Sequence, residues 1–226
     1  VIVEMKLQFT EAEQARIREA VAAAEGHTSG EIVPFLMPRS GHYEIAMWRG
    51  GVLLAAFSLL VSLLVIRFYE GWGLAWIYTG WGTALVTLAG GVLGGVLAAY
   101  LPPLKRLLAG GTRLSQNVHR RALQAFVEEE VFDTRERTGI LLFVSLFERR
   151  IDVLGDTGIN QHVEADDWAD VVLRIRDGIK KGDVVSGLVE AIGLCGKLLE
   201  RKGVEIRADD TNELTDNLRI RDDDAS

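Results

Sequence analysis

From Gly71 to Leu104 the chain runs for thirty-four residues without one Asp, Glu, Lys, Arg or His. Sixteen uncharged residues, GVLLAAFSLLVSLLVI from Gly51 to Ile66, precede it, and only Arg67, Phe68, Tyr69 and Glu70 separate the two runs. A bilayer's hydrocarbon core is about 30 Å thick and takes about 20 apolar residues of helix to cross. The later run meets that length outright. The earlier one meets it if Ala46, Met47, Trp48 and Phe68 join, with Arg49 and Arg67 reaching the headgroups along their aliphatic stems. Trp48, Phe68, Tyr69, Trp72, Trp76, Tyr78, Trp81 and Tyr100 gather near the ends of these spans, where amphipathic rings prefer the interface. The competing reading is a pair of buried helices in a water-soluble core. A chain of 226 residues rarely hides so long an uncharged run in water. The sequence therefore predicts a transmembrane helical hairpin over 46–103.

Composition bounds the flanks. They are long enough for one compact domain. The net charge is −7, and with Arg49, Arg67 and Glu70 in the hairpin, the flanks carry the acidity. Nucleic acid calls for a basic stripe, so no nucleic-acid partner is expected. The single cysteine, Cys195, permits no internal disulfide and no thiolate cluster, and it reads as a buried structural thiol. The amino terminus lacks an apolar signal-peptide core, and Val1 to Glu4 read as an extension ahead of Met5. Two spans return both termini to one side. Arg39 and Arg49 precede the hairpin and Lys105, Arg106, Arg113, Arg120 and Arg121 follow it, whereas the connecting loop offers Arg67 alone. This bias predicts a cytoplasmic domain and cytoplasmic termini. Gly90-x-x-x-Gly94 and Gly91-x-x-x-Gly95 form a small-residue face that another helix can approach closely. That helix is either a second copy, in a homo-oligomer, or the chain's own first span.

Before and after the hairpin the pattern is α/β. Thr10 and Glu13 fit a capping box opening a helix that Gly26 closes. Glu31 to Met37 (EIVPFLM) reads as a strand, with Pro34 pointing to a sheet edge or a bulge. Ser115 is placed to cap a helix reaching about Asp133, with Val118, Ala122, Phe126 and Val127 along its buried stripe. GILLFVSL, Gly139 to Leu146, suits a central strand covered on both faces. Phe147 to Arg149 would turn into a strand from Arg150 to Leu154. A helix over 167–180 follows, and Asp183 caps a last one carrying Val184, Leu188, Ile192, Cys195 and Leu199. The expected fold is a small mixed sheet sandwiched by helices, with residues 1–45 and 104–210 forming one discontinuous domain. Residues 203–226 hold eight acids and three arginines, so 211–226 is expected to be a solvated, disordered tail. Its oxygen donors do not follow the twelve-residue Ca2+ loop.

The strings HTSGEIV, RTGILLFVSLFERRIDVLGDTGIN and DDTNEL resemble those of the TPM domain family. The order is T-x-GE before a strand, T-G before an apolar strand, then R-x-x-V-x-G-D-x-G, with NEL near the end. The resemblance covers Phe9 to Met37 and about Arg113 to Asp216. It implies a Rossmann-like sandwich of a small sheet and helices, often anchored to a membrane. It also implies Ca2+ binding in some members and a weak acid phosphatase activity attributed to a plant member. The anchor differs here: in many relatives the span follows the domain, whereas this hairpin interrupts it.

Strand direction locates the candidate chemistry. If the strands at Glu31 and Gly139 run parallel and the third runs back, Glu31, Thr138, Asp152 and Asp156 converge at one end. Asp166, Asp167 and His162 follow closely. Glu31, Asp152, Asp156 and Asp166 are the candidate ligands for Ca2+ or Mg2+, since separate carboxylates suit a hard divalent cation or an acid/base pair. Each also has a structural reading: a sheet-edge cap for Glu31, an Asx-turn for Asp156, and a helix N-cap for Asp166 and Asp167. Walker, dinucleotide and nucleophile-elbow motifs are missing, and no two histidines have zinc spacing. Arg149 and Arg150, the obvious phosphoryl clamp, belong to the opposite end. The leading expectation is a membrane-tethered, non-enzymatic adaptor or assembly factor for a membrane protein complex. The alternative is a metal-assisted, acid-phosphatase-like hydrolase.

Overall fold

A computed structural model of the chain describes residues 9–68, 76, 79–204, 206, 209 and 211–221. They divide into two compact units, residues 42–114 and residues 9–41 with 115–221. The expected boundaries at 45/46 and 103/104 move outward, because residues 104–114 cluster with the apolar helices rather than with the sheet.

In the first unit, α2 spans Glu44–Phe68, α3 Gly80–Tyr100 and α4 Pro102–Ala109. At 1.5 Å per residue α2 is about 37 Å long and α3 about 31 Å. Both are long and apolar enough to cross a membrane. Ala46, Met47, Trp48 and Phe68 do join α2. The thirty-four-residue run is not one helix. Thr79 caps α3 by accepting the Gly82 N–H. Pro102 and Pro103 open α4, since a proline ring would clash with the preceding turn inside a continuing helix. Arg49 Nη1 then donates to the carbonyls of Leu108 (2.7 Å) and Ala109 (3.4 Å), closing the last turn of α4. The aromatics Tyr69, Trp72 and Tyr78, with Glu70, lie outside the described residues.

The second unit is mixed α/β. Its helices are α1 (Glu11–Glu25), α5 (Gly111–Glu128, of which residues 115–128 belong to this unit), α6 (Thr157–Asn160), α7 (Ala169–Lys181) and α8 (Val184–Arg201). Its strands are β1 (Glu31–Met37), β2 (Gly139–Ser145), β3 (Arg150–Gly155) and β4 (Arg219–Ile220). The order is β3-β2-β1-β4, with β1 parallel to β2 and β4, and β2 antiparallel to β3. Side chains alternate across a strand, so Ile32, Leu36, Ile140, Leu142 and Val144 face Ile17, Val21, Ile175, Leu188, Ile192 and Leu199. Val33, Phe35, Met37, Leu141 and Phe143 face Val118, Ala122 and Ala125. With helices on both faces, β1 and β2 are wholly buried, which is why both read as unbroken apolar runs.

Three expectations need correction. The helix assigned to Ser115–Asp133 starts at Gly111, because Gly110, at φ 87°, breaks the chain there, and it stops at Glu128, ahead of Glu130 at φ 53°. Pro34 causes no bulge. Glu31 N and Met37 O bond toward β2, whereas Ile32 N and Leu36 O bond to Glu25 and Arg221. Pro34 shares the parity of Ile32 and Leu36, so its missing N–H falls on the outer side, where β4 pairs only with Phe35 and Leu36. The tail is the third. Residues 211–221 are not a solvated strand-free segment. Leu214 and Leu218 pack against opposite core layers, Arg219 and Arg221 pair with Glu129 at 3.1 and 2.8 Å, and β4 completes the sheet. Composition missed this because the tail's arginines answer acids that end α5.

The helix caps carry a pH dependence. Glu13 is held below its ordinary carboxylate value by the Thr10 N–H and hydroxyl, Asp183 by the Ser186 N–H and hydroxyl, and Asp167 by Lys202 and the Glu164 N–H. A folded pKa below the unfolded one means the stabilisation is whole above the ordinary carboxylate range. It is lost as pH falls through the depressed folded values. Thr10→Ala is expected to flatten the acid limb of stability against pH, read by urea unfolding across the carboxylate range.

Candidate functional site at the strand-entry end of the sheet

β1 and β2 start side by side, with Glu31 opposite Gly139 and the Glu31 N–H bonded to Thr138 O at 3.1 Å. β3 returns to that end, where the Asp156 N–H donates to Gly139 O at 2.9 Å. The structure thus brings Glu31, Thr138 and Asp156 to one end. A polar cleft of about 420 Å3 opens there, lined by Ser29, Glu136, Thr138, Gly158, Gln161, His162, Gly203 and Val204.

Asp152 is not part of it. It lies opposite Phe143, in the middle of β3, and bonds His119 Nδ1 of α5 at 2.7 Å. Four residues of strand separate it from Asp156, about 13 Å. Asp166 is exposed on the short turn Ala165–Trp168, where Asp167, its neighbour, accepts the Glu164 N–H and pairs with Lys202. The expectation that Glu31, Asp152, Asp156 and Asp166 form one ligand set is therefore corrected. Among the described residues no three His, Cys, Asp or Glu side chains gather as a cation site. The two acids that do share an end already bind N–H donors. Glu31 accepts the backbone N–H groups of Glu213 and Leu214, both at 3.2 Å. Asp156 caps α6 through the Thr157 N–H and meets Arg137 Nε at 3.0 Å.

Arg137 is the residue the sequence reading missed. Its backbone is left-handed, at φ 59°, a conformation that costs of order 1–3 kcal/mol for a side-chain-bearing residue. Three contacts hold it there. Its carbonyl accepts the Gly158 N–H at 2.9 Å, its Nη1 donates to Phe132 O at 3.0 Å, and its guanidinium lies 5.5 Å over the Phe132 ring. Gly158 is needed for this approach: a Cβ there would sit 2.7 Å from the Arg137 carbonyl oxygen. The arginine directly before T-G was visible in the sequence, but its side chain is aimed at Asp156 by a turn that local pattern does not encode. The strings quoted above also meet: the glutamate of T-x-GE holds the backbone of NEL. Cys195 is wholly buried and burial pushes its thiol up, which leaves it unreactive.

The opposite end of the sheet carries a second buried polar group. Glu148 accepts the Ser40 N–H at 3.0 Å and the Ser145 hydroxyl, and the Ser40 and Ser145 hydroxyls are 2.7 Å apart. Replacing Glu148 by Ala strands these donors in the core. It should cost about 2–4 kcal/mol in chemical denaturation.

In the hairpin, Gly90 and Gly94 of α3 pack on Leu54, Ser58 and Gly50 of α2, whereas Gly91 and Gly95 meet Ala55, Gly51 and Met47 at ordinary contact distance. The first apolar helix, α2, takes the face of Gly90 and Gly94.

These features define a small mixed α/β domain whose chain also carries two long apolar helices. No protein-family model matches the chain and no curated protein matches it. Its fold is similar to the solution NMR structure of BA42 protein from the psychrophilic bacterium Bizionia argentinensis sp. nov. The likeness has a TM-score of 0.59 and 19% identity over 96% of this chain and 99% of that one. At that identity it speaks for the fold alone.

Proposed function

We propose that the chain is a membrane-anchored adaptor of the TPM type. A Rossmann-like domain on the cytoplasmic side would help assemble or maintain a membrane protein complex. The observation that carries the anchor is how little apolar surface the protein covers itself. In the most apolar window of α2 only 6% is buried, and in that of α3 22%. Phe57 and Leu88 are 60% and 67% exposed. A core helix would be mostly buried, and apolar surface on this scale calls for lipid as solvent. Strand pairing adds support. β1 precedes the hairpin and β2 follows it, yet they lie side by side, so two crossings suit the chain and one would not.

The test is fractionation followed by capture. Membranes carrying the full chain are washed at alkaline pH, then dissolved in detergent, cross-linked and affinity-purified. The chain should stay in the pellet and recover a membrane protein. Release into the wash would sink the anchor, and recovery of the chain alone would sink the adaptor role.

One observation favours a second reading, hydrolysis of a phosphomonoester. Arg137 beside Asp156 supplies the cation that an anionic group requires, at the end where sequence reasoning found none. Among the described residues the candidate acids do not assemble a ligand set, so this reading rests on Arg137 and Asp156 alone. If it holds, Asp156→Asn lowers phosphomonoester hydrolysis by about a hundredfold or more. Activity that survives the change excludes this site.

A further inference from the structure

We propose that α4 lies in the plane of the membrane interface and gathers anionic phospholipid headgroups at the open end of the hairpin. The inference rests on the membrane reading above. α4 leaves α3 through two prolines and folds back against α2, where Arg49 clamps the carbonyls of Leu108 and Ala109. A side chain from the neighbouring helix thus ties the end of α4 to α2. At 100° per residue, Lys105 and Leu107 point about 160° apart, so one edge of α4 is basic and the other apolar. Leu107 is 74% exposed, and Trp48 and Tyr100, at the same end of the hairpin, are 68% and 59% exposed. Exposed rings and a leucine beside cations suit the depth where acyl chains meet phosphates.

Charge selects the lipid. Residues 42–49 and 100–114 contain Arg49, Lys105, Arg106 and Arg113 against one acid, Glu44. The rest of the protein is acidic. Each basic residue at a membrane surface favours anionic over neutral lipid by about fivefold. An acidic protein segment would satisfy the basic edge but would leave Leu107 and Tyr100 in water.

The test uses the full chain with Leu107→Cys, labelled with an environment-sensitive fluorophore. The native thiol is buried and escapes the reagent. The protein is reconstituted in mixed phosphatidylcholine and phosphatidylglycerol vesicles, with brominated acyl chains on one lipid at a time. Brominated phosphatidylglycerol should quench about threefold more strongly, or more, than an equal fraction of brominated phosphatidylcholine. Lys105→Gln with Arg106→Gln should bring the two level. Equal quenching in the parent, or a preference that survives the double substitution, overturns the proposal. A second label at Val92→Cys, midway along α3, separates the two levels. If Val92 is quenched and residue 107 is not, the interfacial role of α4 fails alone. If neither is quenched, the membrane reading fails with it.

Discussion

Glu31→Gln is expected to free the carboxy-terminal segment while leaving the rest of the sheet paired. Glu31 is 5% exposed, and its carboxylate takes the Glu213 and Leu214 N–H groups, one on each oxygen. A hydrogen bond to a charged group contributes roughly 1.5–3 kcal/mol net. Glutamine keeps one acceptor and turns an N–H2 donor toward the other N–H, so the loss should be about 2–4 kcal/mol. Amide hydrogen exchange should rise over 211–221 and stay slow in β2. Arg219→Ala, which removes a partner of Glu129, should raise exchange over the same segment. Unchanged exchange at 213–220 in the Gln variant would show that the carboxylate does not hold this segment.

The second large effect is in the hairpin. A Cβ at Gly94 would lie 2.7 Å from Leu54 Cβ and inside contact distance of the Gly50 carbonyl, so Gly94→Val must push α3 off α2. If the pair lies in lipid as proposed, no hydrophobic drive acts between the helices and close packing is most of what holds them. The substitution should cost about 1–3 kcal/mol or more, by the usual penalty for overpacking. At Gly91 the nearest side-chain atom to an added Cβ is Ala55 Cβ, at 3.4 Å, so Gly91→Ala should be nearly silent. Thermal unfolding in detergent, followed with a cysteine cross-link between α2 and α3, distinguishes the two. Equal effects at Gly91 and Gly94 would show that the glycine face is not read as described.

The elements that could be read from the chain are those whose cause is local. The two long apolar helices follow from uncharged length, and α1 and α8 from capping at Thr10 and Asp183. The buried strands β1 and β2 follow from unbroken apolar runs. The direction of the third strand followed from the short turn at Phe147 to Arg149, and this correctly brought Asp156 back to Glu31. Register decided what pattern could not. Asp152 lies only four residues before Asp156, but the rise along β3 takes it to His119 instead. The tail misled because low hydrophobicity and high charge usually mean disorder. Here Glu31 and the acids that end α5 supply partners from far along the chain.

The amino-acid sequence by itself determined α1, α7, α8 and the strands β1 to β3, and that two helices have the length and apolarity of membrane spans, because caps, periodicity and charge act over a few residues. Only the tertiary structure decided that Arg137 meets Asp156, that Gly90 and Gly94 are taken by the first apolar helix, and that the tail ends as β4 against β1. Each of those depends on a partner tens of residues away, whose position exists only once the sheet and the hairpin have formed.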